Sequence, residues 1–487
     1  MINDNKPLLN LLTLTYEELQ QKNLKIKHAC EKDIFTKKFE EELKSEIKNE
    51  AGIKSILVAF SSLEGKLHLL DYSKDFLFSS EDNLTFDGSS ISGFANLDKS
   101  DLRLLIDWST LRFLPADVFG AGKVLVFANI HNQDGQLFES DFRNQLIKLT
   151  TDLKKKKGLK VNMAPEIEGI LFNGIDAEQN YDSRKGFELV TKGGYFNTLP
   201  KDELRIFIDK VAETKKALGF ENEKDHPEVA PSSFELNYKY CEIVRACDQV
   251  LIFKLVCRLV AKSMGYTASF LPKPMTGING NGMHSNISLA QNGKNIFYDK
   301  KGEFNLSQTA HRFAKGIMYY AKDICLTFCP SVNSYRRLDP NFEAPNEIKM
   351  SPTNRSVMIR VPFGNERSAR IEVRSVSPDC NPYLASFALL SAGLKMMNSS
   401  DKDVKEIDSE LQKRGKSILP STIYEAIDYF QQSSFVESVL GKENKSKYLK
   451  IKQIAAKRSS QNLGTIIKSS EILFHHEVTN QYLWSRF

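Results

Sequence analysis

Apolar and polar residues alternate over Met163-Ala-Pro-Glu166-Ile-Glu168-Gly-Ile-Leu-Phe172, which predicts a β-strand. Every second side chain shares a face, so Glu166 and Glu168 stand side by side. The apolar run 170–172 predicts that this strand is largely covered. Residues 55–60 and 66–70 read as strands joined by the turn Leu63-Glu-Gly65, and 102–107 and 123–130 as two more. Helical spacing marks 140–157, 201–218, 244–263 and 311–328, and everything from Asn381-Pro-Tyr383 onward reads as helical. Lys154 to Lys157 before Gly158 reads as a last turn with a glycine cap. The Lys- and Glu-rich first 50 residues read as a helical packing extension with a capping box at Thr15-Tyr-Glu-Glu18. The pattern divides the chain into that extension (1–50), a small β-rich domain (51–135) and a large remainder (136–487).

Of 487 residues, 41% are hydrophobic and 26% charged, an ordinary globular composition. The net charge of +6, with both signs interspersed, argues against nucleic acid as a partner. Seven cysteines without zinc spacing predict free thiols in a reducing compartment. No apolar run approaches the ~18 residues of a membrane span. Asp4, Glu17 and Glu18 beside the short apolar run 8–14 argue against a targeting peptide, so a cytoplasmic location is expected.

The acidic residues change the picture. Two carboxylates on one strand face repel unless a cation lies between them. Glu223, His226, Glu228 and Glu235 follow within thirteen residues. So many oxygen and imidazole donors, without cysteine, suit two magnesium or manganese ions better than zinc. Gly277, Gly280 and Gly282 let backbone approach a ligand, and His284 after them is placed for a metal or a phosphate. Seven arginines between Arg336 and Arg374, expected on short strands and loops, suit a transferring phosphoryl group. Arg370, Glu372 and Arg374 share a strand face, where a structural salt-bridge ladder is the alternative.

Several motifs occur in a telling order: Phe86-Asp-Gly-Ser-Ser-Ile91, Pro165-Glu-Ile-Glu168, Glu228-Val-Ala-Pro231, Lys273-Pro-Met275, Asn279-Gly-Asn-Gly-Met-His284 and Asn333-Ser-Tyr-Arg-Arg-Leu338. Glu343-Ala-Pro345, Asn354-Arg-Ser356 and Arg370-Ile-Glu-Val-Arg374 complete the set. From about residue 55 to 460 the chain resembles glutamine synthetases of the bacterial type I group. The resemblance implies an α+β fold: a small N-terminal β-grasp domain and a larger catalytic domain of antiparallel sheet with flanking helices. It implies ATP-dependent ligation of ammonia to the γ-carboxylate of glutamate through γ-glutamyl phosphate. It also implies a dodecamer of two hexameric rings, with sites between subunits and Mg2+ or Mn2+, two or more per site.

By the same resemblance Glu168, Glu228 and Glu235 hold one metal, and Glu166, His284 and Glu372 the other. Asn279, Gly280, Arg337 and Arg374 bind glutamate. Glu223, Tyr240, Ser288, Arg360 and Arg370 line the nucleotide site, with Asn286 and Arg367 at positions where relatives commonly carry His and Lys. Arg355 stabilises the transferring phosphoryl group, Glu343 rides on a flap, and Asp87, with Ser90 in the same loop, comes from the neighbouring subunit to take a proton from ammonium. The chain departs at Ser232-Ser233, where Gly-Gln is usual, has a short segment between Phe172 and Gly193, and has no Tyr in 398–418, so adenylylation is not expected. Asn96 replaces a feedback arginine of another subgroup. A γ-glutamyl-amine ligase acting on ethanolamine or a polyamine, and a non-catalytic homologue, are the alternatives. The retained Asp87 loop, Glu343 and all six metal positions argue against both.

Overall fold

The computed structural model describes residues 14–91, 93–95, 100–178, 180, 186–198, 200, 202–275, 277–338, 344–413 and 417–457. Helices Tyr16–Glu31 and Lys37–Asn49 lead into a sheet of β1 (Ser55–Ser61), β2 (Leu67–Ser73), β3 (Thr85–Asp87), β4 (Asp101–Phe113) and β5 (Lys123–His131). Its order is β2-β1-β5-β4-β3, antiparallel except for the parallel β1–β5 pair. Alternation along β4 turns Leu102, Leu104, Ile106 and Trp108 inward.

The capping box forms: Glu18 N–H donates to Thr15 Oγ1 at 3.2 Å, and Thr15 N–H to Glu18 Oε2 at 2.8 Å. Asn23 ties the extension down. Its amide donates to Phe113 O at 2.9 Å and Ala217 O at 2.8 Å, and accepts from Phe113 N–H at 2.8 Å.

The larger sheet contains β6 (Leu159–Asn173), β7 (Asn222–Pro227), β8 (Ser233–Tyr238), β9 (Cys241–Glu242), β10 (Tyr266–Ser269), β11 (Met283–Gln291), β12 (Lys294–Asn295), β13 (Glu347–Ser351), β14 (Val357–Arg360) and β15 (Ile371–Val373). Its path is β13-β14-β15-β11-β6-β8-β7, with β9 and β10 beside β6 and β12 beside β11. All pairs are antiparallel except β13–β14. Helix Ile243–Ser263 carries buried apolar residues on all sides and forms the centre of the core.

That helix also bears Asp248, which with Asp107 on β4 encloses Arg143 of helix Phe142–Lys157. Arg143 reaches Asp248 at 2.9 and 3.0 Å and Asp107 at 2.8 Å, and Tyr383 O–H donates to Asp248 at 2.6 Å. One buried guanidinium thus joins the small sheet to the central helix. Removing a partner from a buried pair is costly. Asp248→Ala is therefore expected to destabilise the fold by about 3–5 kcal/mol, read as a lowered chemical-denaturation midpoint, and Asp248→Asn by less.

The segment expected as one helix over 311–328 is two, Gln308–Tyr319 and Ala321–Phe328. Tyr320 (φ −91°, ψ 8°) interrupts them where its ring stacks on Phe435, centroids 3.7 Å apart. Gly158 closes helix Phe142–Lys157 in the left-handed region, φ 62°. The described cysteines are all free. Among the described residues no helix is long and apolar enough to cross a membrane. Asn96 and the last 30 residues of the stretch expected to be helical, 458–487, lie outside the described residues.

Candidate functional site

Strand register assembles the site. On β6, Glu166 and Glu168 occupy half-buried positions between buried Pro165, Ile167 and Gly169. Across β11, His284 pairs with Glu166. Across β8, Glu235 pairs with Glu168, and on β7 His226 pairs with Glu235. Glu372 on β15 pairs with Asn286 of β11 and with Arg360 of β14. Antiparallel neighbours on one face lie ~5 Å apart, so six acidic or imidazole residues from separated segments converge. Glu228, just beyond β7, completes the group through His226, with Nδ1–Oε1 at 3.6 Å.

The His284 imidazole lies 3.5 Å from Glu166, 3.6 Å from Glu168 and 3.8 Å from Glu372. Ligand atoms of Glu166, Glu235 and His284 all lie within 4.8 Å of one another, as do those of His226, Glu228 and Glu235. Burial pushes the Glu228 carboxyl up, and Glu168 and Glu235 push it further. Burial would raise Glu166 too, but His284, Asn286 and Arg370 outweigh it and hold that carboxyl low. His226 Nε2 is buried, 3.5 Å from Glu235 Oε1, and makes no hydrogen bond with any described residue. Crowded carboxylates and an unsatisfied imidazole nitrogen fit divalent cations with oxygen and nitrogen ligands. Glu372 is fully buried and bound by Arg360 and by Arg374 Nη1, the latter at 2.6 Å. The salt bridge expected from Arg374 therefore exists, but the second guanidinium is Arg360 on the neighbouring strand and not Arg370, whose Nε donates to Asn286 instead; the same carboxylate faces His284.

The glycine loop works by close approach. Only Gly277 of its three glycines has a positive φ (81°). A Cβ on Gly280 would lie 2.4 Å from Pro272 O, and one on Gly282 would lie 2.5 Å from Arg337 Nη2 and 2.8 Å from His284 Nε2. Gly282 N–H donates to Glu168 Oε2 at 2.6 Å. Arg337 is buried and held by carbonyls of Arg374 at 2.8 Å and Ser375 at 3.1 Å. Those acceptors are neutral, so its charge remains available to an anion. Gly282→Ala should fold but displace guanidinium and imidazole together; we expect Mn2+ affinity, measured by calorimetry, to fall about tenfold or more.

A cavity of about 870 Å³ gathers Asn279, Gly280, Ser288, Glu223, Tyr240, Arg337, Arg355, Arg360, Arg367, Arg370 and Arg374 around the acidic group. Arg337 sits on a short helix, Val332–Arg337, and not on the strand or loop expected for the arginines. Asp87 and Ser90 lie apart from this cavity, exposed or nearly so at the β3 edge of the small sheet. Asp87 accepts from Ser90 Oγ at 2.5 Å and from Ser89 N–H at 2.9 Å. Glu343 lies outside the described residues.

Sequence reasoning counted His226 among the donors of the acidic cluster but assigned it to neither metal, although it stands two residues before Glu228. It also passed over Tyr195, which lines the cavity with its ring edge-on to His226, centroids 5.9 Å apart. Asn237 escaped as well; it shares a face with Glu235 and donates to it at 2.7 Å. The i,i+2 spacing from a carboxylate was the available signal for both His226 and Asn237.

Carboxylates facing clustered guanidinium groups suit an enzyme that moves phosphoryl groups between anions. Comparison with known proteins narrows that class. Residues 52–133 match the family pattern "Glutamine synthetase, beta-Grasp domain" and 139–466 match "Glutamine synthetase, catalytic domain". A Methanosarcina mazei glutamine synthetase is 37% identical over 382 residues, 77% of this chain and 84% of that protein. One from Staphylococcus aureus is 34% identical over 415 residues, 83% and 92%. The chain belongs to the glutamine synthetase family, whose members are ATP-dependent and oligomeric and use divalent metals. In fold it is similar to a Plasmodium falciparum glutamine synthetase solved by cryoEM (TM-score 0.77, 23% identity, 90% of this chain and 98% of that one). It is also similar to GmaS in complex with ADP (TM-score 0.73, 24% identity, 88% and 98%).

Proposed function

We infer that the chain is a glutamate–ammonia ligase that makes glutamine, ADP and phosphate through γ-glutamyl phosphate. The observation that carries the reading is the convergence of Glu166, Glu168, Glu228, Glu235 and His284 in one cavity that Arg337, Arg355 and Arg374 also line. A carboxylate resists ammonia because it is anionic and its oxygen leaves poorly. Transfer of a phosphoryl group makes it electrophilic, provided the two anions are brought together.

Mg2+ or Mn2+, held by Glu168, Glu228 and Glu235 and by Glu166, His284 and Glu372, would supply the charge that offsets this repulsion. Arg337 and Arg374, with Asn279 and Gly280, orient glutamate. Glu223, Tyr240, Ser288, Arg360, Arg367 and Arg370 form the nucleotide side. Arg355 stabilises charge on the transferring group. Asp87 and Ser90, at an exposed sheet edge, serve a neighbouring subunit's cavity, and Asp87 takes the proton from ammonium. Glu343 shields the acyl phosphate from water. This arrangement requires an oligomer, for which we propose two hexameric rings in the cytoplasm.

Phosphate release with glutamate and ATP is expected with ammonia and not with ethanolamine or a polyamine. Turnover only with the larger amine would overturn the substrate assignment.

A further inference from the structure

Asn286 stands where relatives commonly carry a second histidine, and the sequence resemblance gives it to the nucleotide. Its surroundings point elsewhere. The side chain is 3% exposed. Its amide nitrogen donates to Glu166 Oε1 at 3.0 Å and to Ala164 O at 3.3 Å. Its amide oxygen accepts from Arg370 Nε at 2.8 Å. An asparagine has two N–H donors, and both are engaged within the protein. A phosphate offers acceptors, so it could take a donor from Asn286 only by breaking one of these bonds. The opposite amide orientation would set oxygen against a carboxylate and NH2 against a guanidinium, so the neighbours fix the one observed. Glu166 Oε2 remains directed toward His284, 3.5 Å away. The ladder holds the residue in place, since Asn286 pairs with Ala164 of β6 on one side and Glu372 of β15 on the other.

We propose that Asn286 is a positioning residue that ties Glu166, on the metal side, to Arg370, on the nucleotide side, so that cation and nucleotide binding are coupled through this amide. The proposal rests on the assignment of Glu166 to a metal and Arg370 to the nucleotide. A cation that fixes the Glu166 carboxylate fixes the amide, and the amide orients the guanidinium fork before a nucleotide arrives. By linkage, bound nucleotide tightens the cation to the same degree.

The test is calorimetric titration of the full-length protein with Mn2+ and with ADP, each alone and in the presence of the other. Asn286→Ala is expected to weaken Mn2+ binding about tenfold with no nucleotide present, the usual scale for losing a group that orients a metal ligand. It is also expected to reduce the mutual enhancement of Mn2+ and ADP. An unchanged nucleotide-free Mn2+ affinity with ADP alone weakened would overturn the proposal, because the amide would then touch the nucleotide directly. An unchanged Mn2+–ADP coupling would overturn it equally. If that variant does not fold, Arg370→Lys keeps the charge and loses the Nε donor. It should likewise lower nucleotide-free Mn2+ affinity, and no change there contradicts the tie. These titrations need no turnover, so their failure is distinct from failure of the glutamine assay.

Discussion

Glu168→Gln is expected to lower Mn2+ affinity by about a hundredfold or more and turnover by about a thousandfold or more. The carboxylate pairs across the strand with Glu235, lies 3.6 Å from His284 and accepts the Gly282 N–H at 2.6 Å. Glutamine can keep the bond from Gly282 through its amide oxygen, so the loop stays in place. It cannot supply the negative charge a hard cation needs. Without metal the fold should not suffer, because the substitution removes one charge from a group whose members already repel. The expected signature is therefore an unchanged or raised melting temperature for the metal-free protein beside a collapse of metal binding and activity. Near-normal turnover in this variant would remove Glu168 from the site.

Asp87→Asn is expected to act on one half of the reaction only. Asp87 is fully exposed, and hydrogen bonds from the Ser89 and Ser90 side chains hold its carboxyl below the usual carboxylate range. It is thus ionised at neutral pH and able to attract ammonium and accept a proton from it. Acyl phosphate formation should persist in the variant, while glutamine formation slows by about 10²–10⁴. Hydroxylamine, already uncharged near neutral pH, should still trap the acyl phosphate as a hydroxamate at close to the normal rate. Equal slowing with ammonia and hydroxylamine would argue against a proton-accepting role.

The strand that carries Glu166 and Glu168 was legible because β-strands advertise themselves by alternation, whereas the strands Asn222–Pro227 and Ser233–Tyr238, which carry His226 and Glu235, were not read from the sequence. Glu166 and Glu168 could be placed on one face from the spacing in 163–172 alone, and the structure has them there. The register between strands was not legible from period, since a pattern of two says which face and not which partner. The pairing of Glu168 with Glu235 and of Asn286 with Glu372 is information the chain acquires on folding. His226 was visible and unassigned for the same reason, because its opposition to Glu235 depends on the β7–β8 register. The break at Tyr320 escaped because no Gly or Pro marks it; the stack on Phe435, 115 residues later in sequence, is a tertiary event. What the spacing of the glycine loop did not show is that Gly280 and Gly282 also pack closely against Pro272, Arg337 and His284, and that of the three only Gly277 uses a positive φ.

Two cation sites built from strand-paired side chains are the claim on which the chemistry depends. Anomalous diffraction from crystals grown with Mn2+, recorded at the manganese edge, measures it directly. Two peaks per subunit are predicted, one among Glu166, His284 and Glu372 and one among Glu168, Glu228 and Glu235. The absence of manganese from both of these groups, with their carboxylates ordered, would contradict it.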